Sequence, residues 1–536
     1  MALWLLTLFI LFIGTLFVFL SKNKNIRLVL VLFWIPALIG VICPALNSLS
    51  NGVAYGASTV IAFWGQNLTG IIDPLSAFFL FALSLIGIIY VLYRIDTFGE
   101  NTPNPFLFIC LNLFLLTVYA GIGTTNLFYV AILILIINFL FQAFYMMSSQ
   151  KTESVLKNIL TSALSFISAG CFLIILFLTS LPETASDYAN VIHAIAGNGA
   201  KYANDIYILA LIGTFIPIIF IGRCLISNLY DKNALETVFI NTVSYTMFLY
   251  VLARFVGMGA IPHNMVCRYA SFAIVSIITM LFVINFVKKN SVSENVIDGS
   301  FILKNLSIFG LITASYGYLY KIPAIAILGI TSAFAFFITS VTTDLMLTPK
   351  ICEVENDESL MKNECFRKIL PAGLLNIAGI PSLIGFLGWA SLVSALSFGI
   401  YLKNIELRII SLITISVIAV IYLAILFKTF RIFKSNYSNQ IEIPQSVKLP
   451  VCKGFSPIVQ VLICSFIFVS GTFLEFTCKY IFCPVSFMAG GTNYLEFFKL
   501  LVNYAKIFGI FILFALLALL GYIVIKIIII KYMQNR

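Results

Sequence analysis

The chain has 536 residues, 61% of them hydrophobic and only 10% charged, with a mean hydropathy of +1.06. A soluble globular chain carries about 25% charged residues, so this composition cannot clothe a water-facing surface and reads as a polytopic membrane protein. The net charge of +11 belongs to loops facing anionic lipid, which excludes a nucleic-acid-binding reading.

A helical span needs about 20 predominantly apolar residues. By that rule the sequence predicts an all-α fold of about fifteen transmembrane helices, at 2–20, 26–44, 72–93, 105–121, 126–147, 156–179, 205–227, 235–256, 268–287, 301–318, 323–346, 369–398, 407–430, 455–474 and 502–530. The first segment lacks the basic start and small-residue cleavage site of a signal peptide, so it is expected to be a span. Stretch 52–65 is apolar but short and Gly-rich, and is expected to be interfacial or re-entrant. Stretch 369–398 is too long for one straight helix and holds Gly379, Pro381 and Gly385 at its centre. An interrupted helix is expected there, and a second near Pro217.

Alternating these spans from an external N-terminus puts 23 of the 32 Lys and Arg on the cytoplasmic side, Lys304 among them. The bias predicts an inner-membrane protein with its N-terminus outside and its C-terminus inside. Loop 180–204 then lies outside, while loop 347–368, with Glu353, Glu355, Asp357, Glu358 and Glu364, lies inside as a solvated linker or a docking strap. The 11 Cys stand mostly alone, Cys478 and Cys483 being the nearest pair, and no CxxC or His/Cys cluster suggests zinc or iron–sulfur. His193 and His263 fall in outer loops.

Ionisable groups inside a bilayer are costly and default to functional candidates. Asp73 precedes Pro74 at the start of the third span, as a helix-capping carboxylate or a proton-path member. Arg254 is expected to snorkel at the outer end of its span. Asp344 is expected in the last turn of its helix and Glu236 near the start of another, each as an interfacial group or a relay member. Asn138, Gln142, Asn241, Thr246, Thr342 and Asn376 are expected to join helices by hydrogen bonds or to line water.

Five segments, in order, resemble the antiporter-like membrane subunits shared by respiratory complex I, multisubunit cation/proton antiporters and energy-converting hydrogenases. They are Asp73-Pro74-Leu75-Ser76-Ala77-Phe78-Phe79-Leu80, Asn126-Leu127-Phe128-Tyr129-Val130, the small-residue helix from Lys157 to Leu178, residues 205–255 ending Tyr250-Val251-Leu252-Ala253-Arg254-Phe255, and Gly379-Ile380-Pro381-Ser382-Leu383-Ile384-Gly385-Phe386. Within the family the chain looks most like the large membrane subunit of hydrogenase-4 and formate hydrogenlyase. The resemblance covers residues 1–430, the antiporter-like core, and leaves 431–536 as an extension with about two further helices.

The resemblance implies a non-catalytic membrane subunit of an oxidoreductase complex of the hydrogenase or NADH dehydrogenase type, with no cofactor of its own. Its implied partners are other membrane-arm subunits, a redox peripheral arm and the lipid bilayer, with no nucleic acid. Where pumping relatives carry ionisable residues, however, this chain has Leu133, Phe215, Thr246 and Trp389. Leu, Phe and Trp hold no proton, and Thr does not titrate near neutral pH. The expectation is a degenerate proton path with a scaffold and coupling role. A subunit retaining full proton or cation antiport, with Asp73, Glu236, Thr246 and Asp344 as its path, and a stand-alone secondary transporter are the alternatives.

Overall fold

A computed structural model describes residues 55–63, 66–97, 105–148, 154–179, 202–222, 234–257, 261–352, 364–438 apart from 382 and 403, 456–473 and 477–482, with a few isolated positions before 55. Nearly all of the predicted spans 2–20 and 26–44, all of 502–530, loop 180–204 up to residue 201, His193 and Cys483 lie outside the described residues.

The protein is an all-α polytopic membrane protein. Among the described residues nine helices are long and apolar enough to cross a bilayer, and three shorter apolar helices accompany them. In chain order the helices are α1 Pro74–Thr97, α2 Pro105–Gly123, α3 Leu127–Ser148, α4 Ser154–Thr179, α5 Ala203–Phe215, α6 Ala234–Gly257, α7 Met265–Lys288, α8 Val292–Leu319, α9 Pro323–Cys352, α10 Glu364–Ile377, α11 Ile384–Tyr401, α12 Ile405–Ser438 and α13 Ser456–Thr472. Two π-helical turns, Ile216–Ile221 and Cys478–Phe482, complete the helical part.

Ahead of α1 lies one hairpin, β1 Tyr55–Phe63 against β2 Gln66–Ile72, antiparallel, with Tyr55 opposite Ile72 and a bulge between Thr59 and Phe63. This segment was expected to be an interfacial or re-entrant piece. A short run rich in Gly and β-branched residues fits a twisted two-stranded ribbon better than a helix.

Both expected interruptions are present. Helix α5 passes into the π turn at Ile216–Ile221, where Pro217 has no N–H to give. Between α10 and α11 the chain unwinds, and Gly379 takes φ +65°, a conformation that glycine adopts without strain. Asn376 Oδ1 accepts the Gly385 N–H at 2.9 Å and so bridges the break.

The centre of the bundle is the antiparallel pair α8–α9, which is 94% buried along each membrane-length window, with α6 wholly buried beside it. Helices α4, α7 and α12 are only 33–39% buried and turn apolar side chains such as Phe177, Ile277 and Phe427 outward. In a bilayer that pattern separates a packed interior from a lipid-facing or partner-facing rim.

Helix α8 differs most from its predicted span. It starts at Val292, nine residues before the expected position, because Ser291 caps it: the Ser291 Oγ accepts the Glu294 N–H at 3.3 Å. Its first turns carry Glu294, Asn295, Asp298 and Ser300, which hydropathy alone assigns to a loop. Helix α9 likewise runs on to Cys352, so the two ends of the expected loop 347–368 are helical, and 353–363, outside the described residues, separates α9 from α10.

Candidate functional site

Two buried ion pairs hold the strongest charges inside the bundle. The first joins the start of α1 to the end of α6. Asp73 sits immediately before Pro74, and its Oδ1 accepts the Ser76 N–H at 2.8 Å and the Ser76 hydroxyl at 2.8 Å. The Asp73 N–H donates back to Ser76 Oγ at 2.9 Å. Arg254 closes on the carboxylate from the other side, donating from Nη1 to Oδ2 and from Nη2 to Oδ1. Its Nε donates to Tyr250 OH at 2.9 Å, four residues back on the same helix. The two side chains are 5% and 4% exposed.

The expected capping role of Asp73 is therefore what its contacts show. Arg254 does not snorkel: a fork-shaped guanidinium matched to a buried carboxylate gains more from two parallel bonds than from reaching for water. The carboxylate is held by Ser76 on one side and by the two guanidinium arms on the other, which makes the pair a clamp.

The second pair lies in the core. Lys304 Nζ stands 2.7 Å from Asp344 Oδ2, with side chains 0% and 3% exposed. The ammonium lies over the rings of Phe301, at 4.8 Å, and Tyr245, at 5.4 Å. Tyr245 OH shares a 2.6 Å hydrogen bond with Ser307 Oγ, which also donates to the Lys304 carbonyl at 2.7 Å. Apart from the ionic contact itself, Lys304 Nζ and Asp344 Oδ2 have no well-aligned hydrogen bond within the protein.

Sequence reasoning missed Lys304 by placing it at a helix edge. The added turns of α8 make it the thirteenth of 28 residues, close to mid-length. Asp344 lies eight residues before the end of α9, not in its last turn. The Ser291-x-x-Glu294 capping box was the available signal, since it marks a helix start directly after Lys289.

The four positions without ionisable residues are filled differently. Phe215 is buried, its ring 6.1 Å from Phe220. Leu133 is half-buried on α3. Thr246 is fully buried and donates its hydroxyl to the Thr242 carbonyl at 2.8 Å. Trp389 lies beneath the break in the α10–α11 chain, its Nε1–H donating to the Ile377 carbonyl at 3.3 Å and its ring edge-on to Phe336 and Tyr422. The indole thus covers a carbonyl that the unwound chain leaves free.

Glu236 lies in the first turn of α6, with its side chain outside the described residues. Asn138 joins α3 to α4 through the Ser165 carbonyl at 2.8 Å, and Asn376 reaches Thr342 at 3.5 Å. Many of the core hydroxyls, including Thr242, Thr339 and Thr343, bond instead to carbonyls of their own helix. Among the described residues no group of three His, Cys, Asp or Glu is placed to hold a metal ion.

No family model matches the sequence, and no curated protein does. Solved structures share the fold over nearly its full length. A chain of the Mrp complex from Dietzia sp. DQ12-45-1b superposes with a TM-score of 0.66 at 13% identity, covering 92% of this chain and 98% of that one. A chain of the membrane-bound sulfane sulfur reductase, an archaeal respiratory membrane complex, gives 0.66 at 14% identity with the same coverage of 92% and 98%. A chain of respiratory complex I from Thermus thermophilus gives 0.62 at 12% identity, covering 90% and 99%. At these identities the likeness establishes the fold, that of a multi-pass chain found in large membrane complexes.

Proposed function

We propose that this chain is an antiporter-like subunit in the membrane arm of a multisubunit complex of the complex I-like or hydrogenase-like kind, in the inner membrane with its N-terminus outside. In this reading it carries no redox centre and serves as scaffold and coupling element, with partner membrane subunits at its sides and a redox arm elsewhere in the assembly. The hydrogenase-4 and formate hydrogenlyase type is the form the sequence motifs favour.

The observation that carries the reading is the match of nearly the whole chain to chains of three membrane complexes. The degenerate path is supported by the apolar packing of Phe215 and Trp389, and by the Thr246 hydroxyl being turned to its own helix. A titratable relay needs groups whose charge states influence one another, and none of these three supplies one. One observation favours the alternative of retained antiport: the buried Lys304–Asp344 pair near mid-length of α8.

The test is purification of the complex from native membranes in mild detergent, with and without this chain. Co-purifying membrane subunits, and loss of assembly on deletion, are expected. A chain that runs alone or as a homodimer and drives solute uptake in vesicles is a stand-alone transporter instead.

A further inference from the structure

The break between α10 and α11 is held from three sides. Its own backbone is the first. The Gly379 N–H donates to the Asn376 carbonyl at 3.1 Å and the Ile380 N–H to the Leu375 carbonyl at 3.1 Å, so α10 ends in a Schellman turn. Leu383 is the extended residue at the start of α11 and supplies no side-chain cap. Asn376 supplies one from α10, through the Gly385 N–H. Trp389 is the second side: its ring lies so close beneath Gly379 that a Cβ there would enter it.

The third side is α13. This helix packs against α1, α9, α10 and α11, and it meets the break at Gly471. A Cβ on Gly471 would stand 2.5 Å from the Leu383 nitrogen, and closer still to the Leu383 Cα and carbonyl carbon, where ordinary contacts are 3.4–4 Å. Backbone lies on backbone, with no side chain between them to give way. Among the described glycines, Gly471 alone sets a separate helix against the unwound chain.

Helix α13 is itself anchored away from the break. Cys464 Sγ lies 3.2 Å from Met346 Sδ on α9. Beyond the end of α13, Thr477 donates its hydroxyl to the Ser470 carbonyl at 2.9 Å and its N–H to the Phe473 carbonyl at 3.0 Å. These bonds hold the π turn Cys478–Phe482 to the helix, and Phe482 in that turn packs on Phe78 of α1, ring centres 6.3 Å apart. The position of α13 is thus set by α9 and α1, and Gly471 carries it to Leu383.

Unwound segments are ordinary hinges, because a few φ/ψ changes there swing the helix beyond them. For α11 to swing, Leu383 must move. We propose that α13 is a lock on the α10–α11 break: with α13 seated, the two half-helices form one rigid body, and the break bends only when α13 is lifted from Leu383. Any stroke through the break is then controlled from α13 rather than from the Gly379 turn. The lock is a property of the folded chain and does not depend on the assembly proposed above.

The test is hydrogen–deuterium exchange, read by mass spectrometry, on the full chain in mild detergent with the subunits that accompany it. A segment that opens only with its neighbour exchanges no more easily than that neighbour. Corrected for intrinsic rates, the amides of 379–386 are therefore expected to exchange no faster than those of 466–473, and to respond to added denaturant in the same way. Break amides about tenfold faster than those of α13 open while α13 is seated, and overturn the lock.

Gly471→Ala adds the methyl that Leu383 cannot accommodate. Alanine is the better helix former, so helix propensity works against the expected result, a rise of about tenfold in exchange at 379–386 with the α8–α9 amides unchanged. Gly170→Ala on α4 is the control: its added Cβ meets nothing within 4 Å, and exchange at the break is expected to stay at the parent level. Unchanged exchange at the break in Gly471→Ala overturns the lock, and so does a rise spread evenly through α8–α9. Should Gly471→Ala fail to fold, the comparison within the parent chain decides alone. A break that opens freely in an intact complex removes the lock and leaves the assembly standing.

Discussion

The two buried ion pairs share a chemistry and differ in how completely the protein satisfies them. Asp73 and Arg254 meet in a fork, and Ser76 and Tyr250 add further hydrogen bonds to the two partners. Lys304 and Asp344 meet through one contact, with aromatic faces and neighbouring hydroxyls around them. A fully bonded pair fixes geometry and resists a change of charge. The core pair depends on one ionic contact and on the aromatic faces around the ammonium. Burial alone does not separate them, since all four side chains are at most 5% exposed.

The largest expected effect is at the clamp. Arg254→Ala leaves the Asp73 carboxylate buried without its cation, at a cost of about 3–5 kcal/mol. The expected outcome is a steep loss of folded chain in detergent, followed by fluorescence-detected size exclusion against temperature. A variant as stable as the parent would mean that water reaches Asp73, and the distinction between the pairs would dissolve.

Removing both partners sharpens the contrast. Lys304→Met with Asp344→Leu replaces a poorly satisfied pair by apolar side chains of similar size, and such replacements are often neutral or stabilising by about 1–4 kcal/mol. The matching change, Asp73→Leu with Arg254→Met, orphans the Ser76 and Tyr250 groups and is expected to destabilise by about 1–3 kcal/mol for each group left unpaired. Thermal melts of the two double variants, set against their single variants, read both couplings. If the core pair proves as costly to replace as the clamp, Lys304–Asp344 is structural too.

A smaller effect is expected at the helix break. Trp389→Phe keeps the ring but removes the N–H that covers the Ile377 carbonyl, a loss of about 1 kcal/mol. A modest fall in detergent Tm with assembly unchanged is the expected result. A large loss would give Trp389 a part in holding α10 against α11 beyond that single bond.

Much of the fold was legible because hydropathy reports burial in lipid directly: the described spans fall close to their predicted positions, and Pro217 and Gly379 marked both interruptions. The rule failed where a helix is polar yet buried. Residues 292–300 carry their polar groups inside the bundle, so their composition resembles a loop and the helix start was displaced. That single displacement hid Lys304. The clamp was half legible: the Asp73-Pro74 step announces a cap, but its partner lies 181 residues away on another helix, a distance no local pattern spans. The hairpin ahead of α1 escaped because length and hydropathy do not distinguish a short membrane segment from two strands.

The smallest effect tests the vacated positions themselves. Thr246 stands where pumping relatives are expected to carry lysine, and its hydroxyl donates to the Thr242 carbonyl, the same oxygen that the helix's own i to i−4 bond engages. Removing the hydroxyl therefore orphans no acceptor. Valine has nearly the same shape, and the position is fully buried. Thr246→Val is expected to change stability by less than about 1 kcal/mol and to leave complex assembly and coupled ion movement at the parent level, measured in the purified complex. If coupling were lost while assembly survived, the Thr246 hydroxyl would have to be orienting water at that point. The first half of the chain would then contain a working path, and the reading of the vacated positions as a degenerate one would no longer hold.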